Sequence, residues 1–142
     1  MGTLSLNDIA VSPLARIPVQ GGDVLHAMKK SDSGYAGFGE AYLSCVQHGV
    51  VKAWKRHLRM TMNIIVPVGL VRFVFAVEGE QQFRIETIGD AQYSRITVPP
   101  GVWFGFQGVA ATESMVLNLA SIEHDPEEVE RLPVSAMPFV WE

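Results

Sequence analysis

The sequence predicts an all-β fold, an antiparallel barrel or sandwich formed by one domain. Short segments rich in β-branched and aromatic residues alternate between apolar and polar positions, which is typical of strands. Turn residues separate these segments every eight to twelve positions. No helix-length periodic segment lies between them, and a parallel α/β sheet would need helical crossovers.

The predicted strands lie at residues 41–57, 70–77, 83–88, 93–98, 102–106 and 114–119. Segment 70–77, LVRFVFAV, is apolar on nearly both faces. A strand of this kind is covered on both sides.

Strict alternation near residue 55 predicts which side chains share a face. Positions two apart on a strand point to the same side. One face is therefore expected to carry Val51, Ala53, Lys55 and His57, and the other Lys52, Trp54 and Arg56.

The ends of the chain differ from the strand-rich middle. Residues 1–20 contain two prolines and no strong period, so they predict an extended arm before a barrel at 21–131 and a tail at 132–142. The segment DPEEVERL predicts one short helix, with Asp125 as cap, Pro126 in the first turn and Glu128 completing a capping box.

Composition excludes several classes of protein. The 142 residues suit one domain, and 48% hydrophobic with 18% charged residues indicates a globular chain. The net charge of -4 does not favour nucleic-acid binding. No apolar run approaches membrane-span length, and the start lacks a signal-peptide pattern. The single cysteine, Cys45, is expected to be a core thiol in a cytoplasmic protein.

Residues 49–69 keep the spacing of the first cupin motif, which is Gly, five residues, His-x-His, a few residues, Glu, six residues, Gly. Gly49 and Gly69 occupy the two glycine positions and His57 the second histidine. Lys55 replaces the first histidine, and Met62 replaces the glutamate.

The second cupin motif centres on Pro-x-Gly-x-x-His, and residues 99–104 read PPGVWF. Phe104 therefore replaces its histidine. Lysine, methionine and phenylalanine do not form a transition-metal site, and His57 alone would not hold one. The sequence predicts neither a metal nor another cofactor.

The same stretches resemble the metal-free dTDP-4-dehydrorhamnose 3,5-epimerases. That family shows "GVxRGxH", then "PPGxxHGF", then a late Asn and a Tyr-Pro region. The counterparts here are residues 49–55, 99–106, Asn118 and His124 to Pro126, and residues 32–40 resemble the family's "DxRGFF…E" segment. The resemblance covers about residues 20–131 and implies a cupin-type antiparallel jelly-roll β-barrel with one or two short helices.

Several family positions are substituted. Lys55 stands where the family has its general-base His, Met62 near its catalytic Lys, and Phe104 at another His. His124 falls near the family's acid Tyr. The Asp that orients the base has only Trp141-Glu142 as a possible counterpart.

The resemblance implies epimerisation or isomerisation of a dTDP-4-keto-6-deoxy sugar, or a related nucleotide sugar, in polysaccharide biosynthesis. Proton abstraction beside a keto group needs a base, an acid and a group that stabilises the enolate oxygen. The candidate catalytic residues are Lys55, His57 and His124. The candidate substrate-binding residues are Glu40, Lys52, Arg56, Arg59 and Asn118, whose cations would pair with a diphosphate.

Other interpretations remain open for these residues. Lys55 could be a base, an oxyanion partner or a Schiff-base nucleophile, or it could simply reach solvent. His57 could be a satisfied core residue, and the cations a solvated face. The alternative function is a non-catalytic cupin that binds a sugar nucleotide. The apolar strand 70–77 and the arm also predict a homodimer.

Overall fold

Strands make up nearly all of the regular secondary structure in a computed structural model that describes residues 3–142. In chain order they are β1 (Ala10–Pro13), β2 (Arg16–Ile17), β3 (Val24–Leu25), β4 (Glu40–Val46), β5 (Val51–His57), β6 (Met62–Val68), β7 (Leu70–Ala76), β8 (Arg84–Gly89), β9 (Ser94–Val98), β10 (Trp103–Gly108), β11 (Ser114–Ala120) and β12 (Val129–Arg131). The described helices are 3₁₀ turns at Leu6–Asp8, Pro126–Glu128 and Val134–Ala136.

Two five-stranded sheets form the barrel. The first has the strand order β1-β9-β6-β11-β4 and the second the order β12-β5-β10-β7-β8, while β2 and β3 form a small ribbon. Every pairing between these strands is antiparallel. The predicted all-β jelly-roll barrel is confirmed.

The main core lies between the two sheets. The first sheet contributes Ile64, Ile96 and Val116, and the second contributes Phe73 and Phe75. The two phenylalanine rings stack with centroids 6.3 Å apart. Burial of aromatic and branched side chains from both sheets is the main source of stability in such a fold.

A second apolar cluster lies on the outer face of the second sheet. Trp54, Val74 and Trp103 are buried there beneath Phe139 and Trp141 of the C-terminal tail. β7 therefore faces the main core on one side and the tail on the other, which confirms that this segment is covered on both faces.

Both ends of the chain pack onto the barrel. Ala10–Pro13 adds an edge strand to the first sheet by pairing with β9. In the tail, Trp54 Nε1 donates a 3.2 Å hydrogen bond to the carbonyl of Val134.

The predicted helix near residue 126 is a single 3₁₀ turn. Asp125 caps it by accepting a 3.0 Å hydrogen bond from the Glu127 N–H, as expected. The capping box does not form, because Glu128 turns its carboxylate into the barrel and the chain then enters β12.

Gly69 shows why the motif spacing survives. Its φ is +94°, and an added Cβ would lie 2.1 Å from Ser114 Oγ. Only glycine fits this left-handed, crowded turn between β6 and β7. Among residues 3–142, no helix is long and apolar enough to cross a membrane.

Candidate active site

A cavity of ≈ 390 Å³ opens into the barrel between the two sheets. The apolar side chains that line it are Ala53, Trp54, Met62, Ile64, Phe73, Phe104, Phe106, Val116 and Leu132. The polar side chains that line it are Tyr42, Ser44, Lys52, Lys55, Asn118 and Arg131. An apolar cavity with a few converging polar groups is the usual form of a small-molecule site.

An irregularity in β5 decides which side chains enter this cavity. Phe104 pairs with Lys55 and the next residue of β10, Gly105, pairs with Ala53, so the register shifts at this point. β5 therefore has one residue more than β10 between these pairs, and its side chains no longer alternate strictly between the two faces, as at a β-bulge. Lys52 lines the cavity together with Lys55, so the prediction that Lys52 shares a face with Arg56 is wrong.

Lys52 and Arg131 place positive charge at the solvent-exposed side of the cavity. Both are exposed, and both line it. The Lys52 ammonium donates a 2.6 Å hydrogen bond to the carbonyl of Cys45. Among the residues that line this cavity, none is a carboxylate, so an anionic group could approach these two cations.

Lys55 lies deeper and is partly buried. It stands directly opposite Arg131 on β12 and Phe104 on β10. Across residues 3–142, its ammonium makes no salt bridge. Burial lowers the pKa of Lys55, the Arg131 charge lowers it further, and the Glu128 carboxylate partly opposes both. Lys55 is therefore more readily deprotonated to a neutral amine than an exposed lysine is.

His57 forms a buried pair with Glu128. His57 Nδ1 lies 2.5 Å from Glu128 Oε2, and the two side chains are 3% and 1% exposed. Glu128 Oε1 accepts 3.0 Å hydrogen bonds from the backbone N–H groups of Arg59 and Met60. The carboxylate therefore fixes both the imidazole and the turn that follows β5.

The electrostatics of this pair favour a neutral imidazole beside an ionised carboxylate. Burial, together with the charges of Lys55 and Arg131, lowers the pKa of His57 below its usual value, although the hydrogen bond and charge of Glu128 raise it. Burial raises the pKa of Glu128, but hydrogen bonds from His57 and the two backbone N–H groups bring it below its usual value. A neutral His57 donates through Nδ1–H, which leaves a lone pair on Nε2.

Nε2 of His57 is buried and has no hydrogen-bond partner within residues 3–142. The imidazole stacks on Phe104, with ring centroids 6.1 Å apart. His57 lies two residues beyond Lys55 on β5, so both side chains point into the barrel. His57 does not itself line the cavity, but its ring lies against Phe104, and both Phe104 and the neighbouring Lys55 do line it.

Tyr42 and Asn118 form a polar pair on the opposite wall, in the first sheet. Asn118 Nδ2 donates a 3.0 Å hydrogen bond to the Tyr42 hydroxyl oxygen. The Tyr42 O–H remains available to donate toward the cavity that both residues line. Proton-transfer groups therefore lie on both walls.

Two predicted diphosphate ligands, Arg56 and Arg59, lie outside the cavity. Arg56 forms salt bridges with Glu78 and Glu130 and lies 4.6 Å above the ring of Trp103. Arg59 pairs with Asp125 at 2.7 Å. The predicted cluster of Lys52, Arg56 and Arg59 is therefore divided, because the register shift turns Lys52 inward while Arg56 stays on the outer face.

His124 and Glu40 also lie apart from the cavity lining. The His124 N–H donates a 3.0 Å hydrogen bond to Glu40 Oε1, and both residues sit where β4 begins. The aromatic side chains of β10 divide between the two faces, since Phe106 lines the cavity and Trp103 packs on the outer face.

Sequence reasoning missed Tyr42, Glu128 and Arg131. Glu128 fitted the helix-cap pattern, and its neighbour in the fold, His57, lies 71 positions away. The orienting carboxylate was sought at Trp141-Glu142, where Trp141 instead packs against Trp54. The alternation of β4 offered one signal for Tyr42, since Tyr42 and Ser44 share its inward face.

The barrel is similar to solved structures of sugar-nucleotide enzymes. A dTDP sugar isomerase from Desulfovibrio desulfuricans G20 is 37% identical and superimposes with a TM-score of 0.89, over 94% of this chain and 90% of that one. The chain is a dTDP-4-dehydrorhamnose 3,5-epimerase-like protein of the cupin superfamily. No protein-family model matches it.

Two further proteins are similar to this chain, one in structure and one in sequence. NovW, a 4-keto-6-deoxy sugar epimerase from Streptomyces spheroides, is 15% identical with a TM-score of 0.84, over 98% of this chain and 77% of that one. A probable low-salt glycan biosynthesis epimerase of Haloferax volcanii, Agl13, is 29% identical over 101 residues, which are 66% of this chain and 65% of the relative.

Proposed function

We propose that this epimerase-like protein epimerises or isomerises a dTDP-4-keto-6-deoxy sugar, or a related nucleotide sugar, in polysaccharide biosynthesis. The observation that carries the proposal is the cavity, which has an apolar interior, two exposed cations at its open side and proton-transfer groups on both walls. The similarity to a dTDP sugar isomerase at 37% identity supports the substrate class.

The nucleotide end is assigned to the open side of the cavity. Lys52 and Arg131 are the exposed cations that line it, and a diphosphate would pair with both. The sugar would then lie inward, against apolar side chains such as Phe73 and Phe106.

Inversion of a carbon beside a keto group needs a base on one face of the sugar and an acid on the other. In our assignment His57 Nε2 takes the proton, with Glu128 holding Nδ1–H, and Lys55 meets the keto oxygen. Tyr42, on the opposite sheet, returns a proton and replaces His124 in that role. Water removal inside the barrel strengthens each of these polar interactions.

A non-catalytic cupin that binds a nucleotide sugar is the second candidate. Met62 and Phe104 favour it, because two cavity positions that carry proton-transfer groups in the epimerases hold apolar side chains here.

Deuterium exchange separates the two functions. The protein is incubated with dTDP-4-keto-6-deoxyglucose in deuterated water, and NMR follows the carbons beside the keto group. We expect exchange above the enzyme-free rate, its loss in Lys55→Met and its retention in Lys30→Met, whose lysine is exposed on a loop. Binding of dTDP without exchange would establish the binding protein instead.

We also assign a second copy of the chain to the outer face of the first sheet. Two rows of side chains cross the paired strands on this face. One row places Leu43 beside Leu117, and the other places Cys45 beside Met115 and Met115 beside Val68. Leu43 and Val68 are 53% and 50% exposed, and the rows carry no charge. Strand 70–77, by contrast, is already covered by its own tail.

The single free thiol suits a reducing cytoplasm.

A further inference from the structure

Lys55 has features that the proton-transfer assignment leaves unused. The base role falls to His57, which already has a carboxylate partner at 2.5 Å and a free Nε2. Lys55 instead presents a partly buried amine to the cavity, with Arg131 directly opposite on the paired strand.

The surroundings of this amine are those of a nucleophilic lysine. Phe104 stands opposite it on β10, and the cavity wall beyond consists of apolar side chains. Across the described residues, no carboxylate forms a salt bridge with Lys55. A lysine amine becomes a better nucleophile toward a carbonyl when it is desolvated or lies beside another cation. Lys55 meets both conditions.

We propose that Lys55 forms a transient imine with the keto carbon of the bound sugar. This inference rests on the proposed function and gives it a covalent step. The fold places the Lys55 amine and the Tyr42 hydroxyl around one cavity, with the buried His57 two residues from Lys55 on the same strand. An imine route requires such a set of groups.

The step balances without any further reactant. The neutral amine adds to the keto carbon, and the resulting carbinolamine loses water to give an imine, which takes a proton from solvent water to become an iminium. His57 Nε2 removes the proton from the neighbouring carbon, leaving an enamine. Tyr42 protonates that carbon on the other face, which restores the iminium, and water hydrolyses it to return the ketone and the free amine with release of the extra proton to solvent. Solvent water then takes the proton from His57 and returns one to Tyr42.

An iminium draws electrons from the neighbouring C–H bond more strongly than a neutral carbonyl does. It therefore offsets the loss of acidic or hydrogen-bonding groups at Met62 and Phe104. Burial and the Arg131 charge, which lower the pKa of Lys55, support the neutral amine that attack requires.

Reductive trapping tests the imine. The protein is mixed with dTDP-4-keto-6-deoxyglucose and sodium cyanoborohydride, and intact mass and peptide mapping are read. We expect a gain equal to the substrate mass less one oxygen atom, located on Lys55 and suppressed by excess dTDP. Lys55→Arg keeps the charge but should lose the adduct, whereas Lys30→Met should keep it.

Oxygen exchange provides the second measurement, because imine hydrolysis replaces the keto oxygen with oxygen from water. In oxygen-18 water, wild type should label the ketone faster than Lys55→Arg, whose folding is checked by its melting temperature. If the protein exchanges deuterium but gives neither the adduct nor faster oxygen labelling, the imine is overturned and the epimerase proposal stands. Absence of deuterium exchange as well would overturn both, and an adduct on other lysines alone would overturn the imine.

Discussion

Glu128 offers the sharpest test of how the barrel holds its candidate base. Its carboxylate accepts three hydrogen bonds, from His57 Nδ1 and from the backbone N–H groups of Arg59 and Met60. Glu128→Ala removes all three and leaves buried donors unsatisfied, at about 1–3 kcal/mol for each. We expect a loss of about 4 kcal/mol in the free energy of unfolding.

Glu128→Gln is the matched control. The amide oxygen can still accept from the two backbone N–H groups, so only the contact to His57 changes character. A hydrogen bond to a charged group contributes about 1.5–3 kcal/mol and a neutral one about 0.5–1.5 kcal/mol. The glutamine variant should therefore lose only about 1–1.5 kcal/mol.

The glutamine variant also changes the imidazole. Its amide N–H would face Nδ1, so the ring proton would move to Nε2 and the base would be lost. Proton-transfer catalysis by a positioned side chain contributes about 10²–10⁴-fold, and deuterium exchange should fall by that factor. NMR of the imidazole nitrogens would report the tautomer directly.

Urea denaturation at neutral pH provides the free energies. Equal losses for the alanine and glutamine variants would refute the assignment of separate backbone and imidazole contacts. A loss below about 1 kcal/mol for Glu128→Ala would refute the buried network altogether. Retained exchange in Glu128→Gln would show that His57 is not the base.

Three further predictions concern the cavity, the sheet face and the tail. Arg131→Met should raise the pKa of Lys55, because the Arg131 charge lowers it, so the rise of saturated exchange rate with pH should move to higher pH; an unmoved profile would contradict the neutral-amine role. Leu43→Arg should convert a dimer into a monomer by light scattering and speed thiol labelling of Cys45, and a wild-type monomer at micromolar concentration would dismiss the interface. Trp141→Ala should cost about 3 kcal/mol in urea denaturation, within the range for large core truncations, whereas Val140→Ala, at an 80% exposed position, should cost under about 0.5 kcal/mol.

The sequence was sufficient for the fold because local alternation and turn residues carry most of the information in a β-barrel. Strand 70–77 shows this well, since its two apolar faces require cover on both sides. The pattern did not reveal that the second cover is the chain's own tail, because Met137, Phe139 and Trp141 alternate over only five residues and form no strand.

The site was less predictable, since it depends on contacts between distant segments. The register shift at Gly105 arises from pairing between β5 and β10, and strict alternation cannot anticipate it. Glu128 fitted a local capping pattern, but its carboxylate accepts hydrogen bonds from the buried imidazole of His57 and from two backbone N–H groups instead. The expectation of a buried Cys45 was wrong because the outward face of β4 is itself apolar.

Trp54 belongs to two parts of the molecule at once. It lines the cavity, and its ring lies 5.5 Å from Trp141 and 6.0 Å from Phe83 in the outer cluster. Its backbone exchanges two hydrogen bonds with Leu132. Substitutions in the solvent-facing tail can therefore adjust the shape of the cavity without altering any inward-facing side chain. Sugar preference in this barrel could diversify from its outer surface, while the groups that move protons stay fixed.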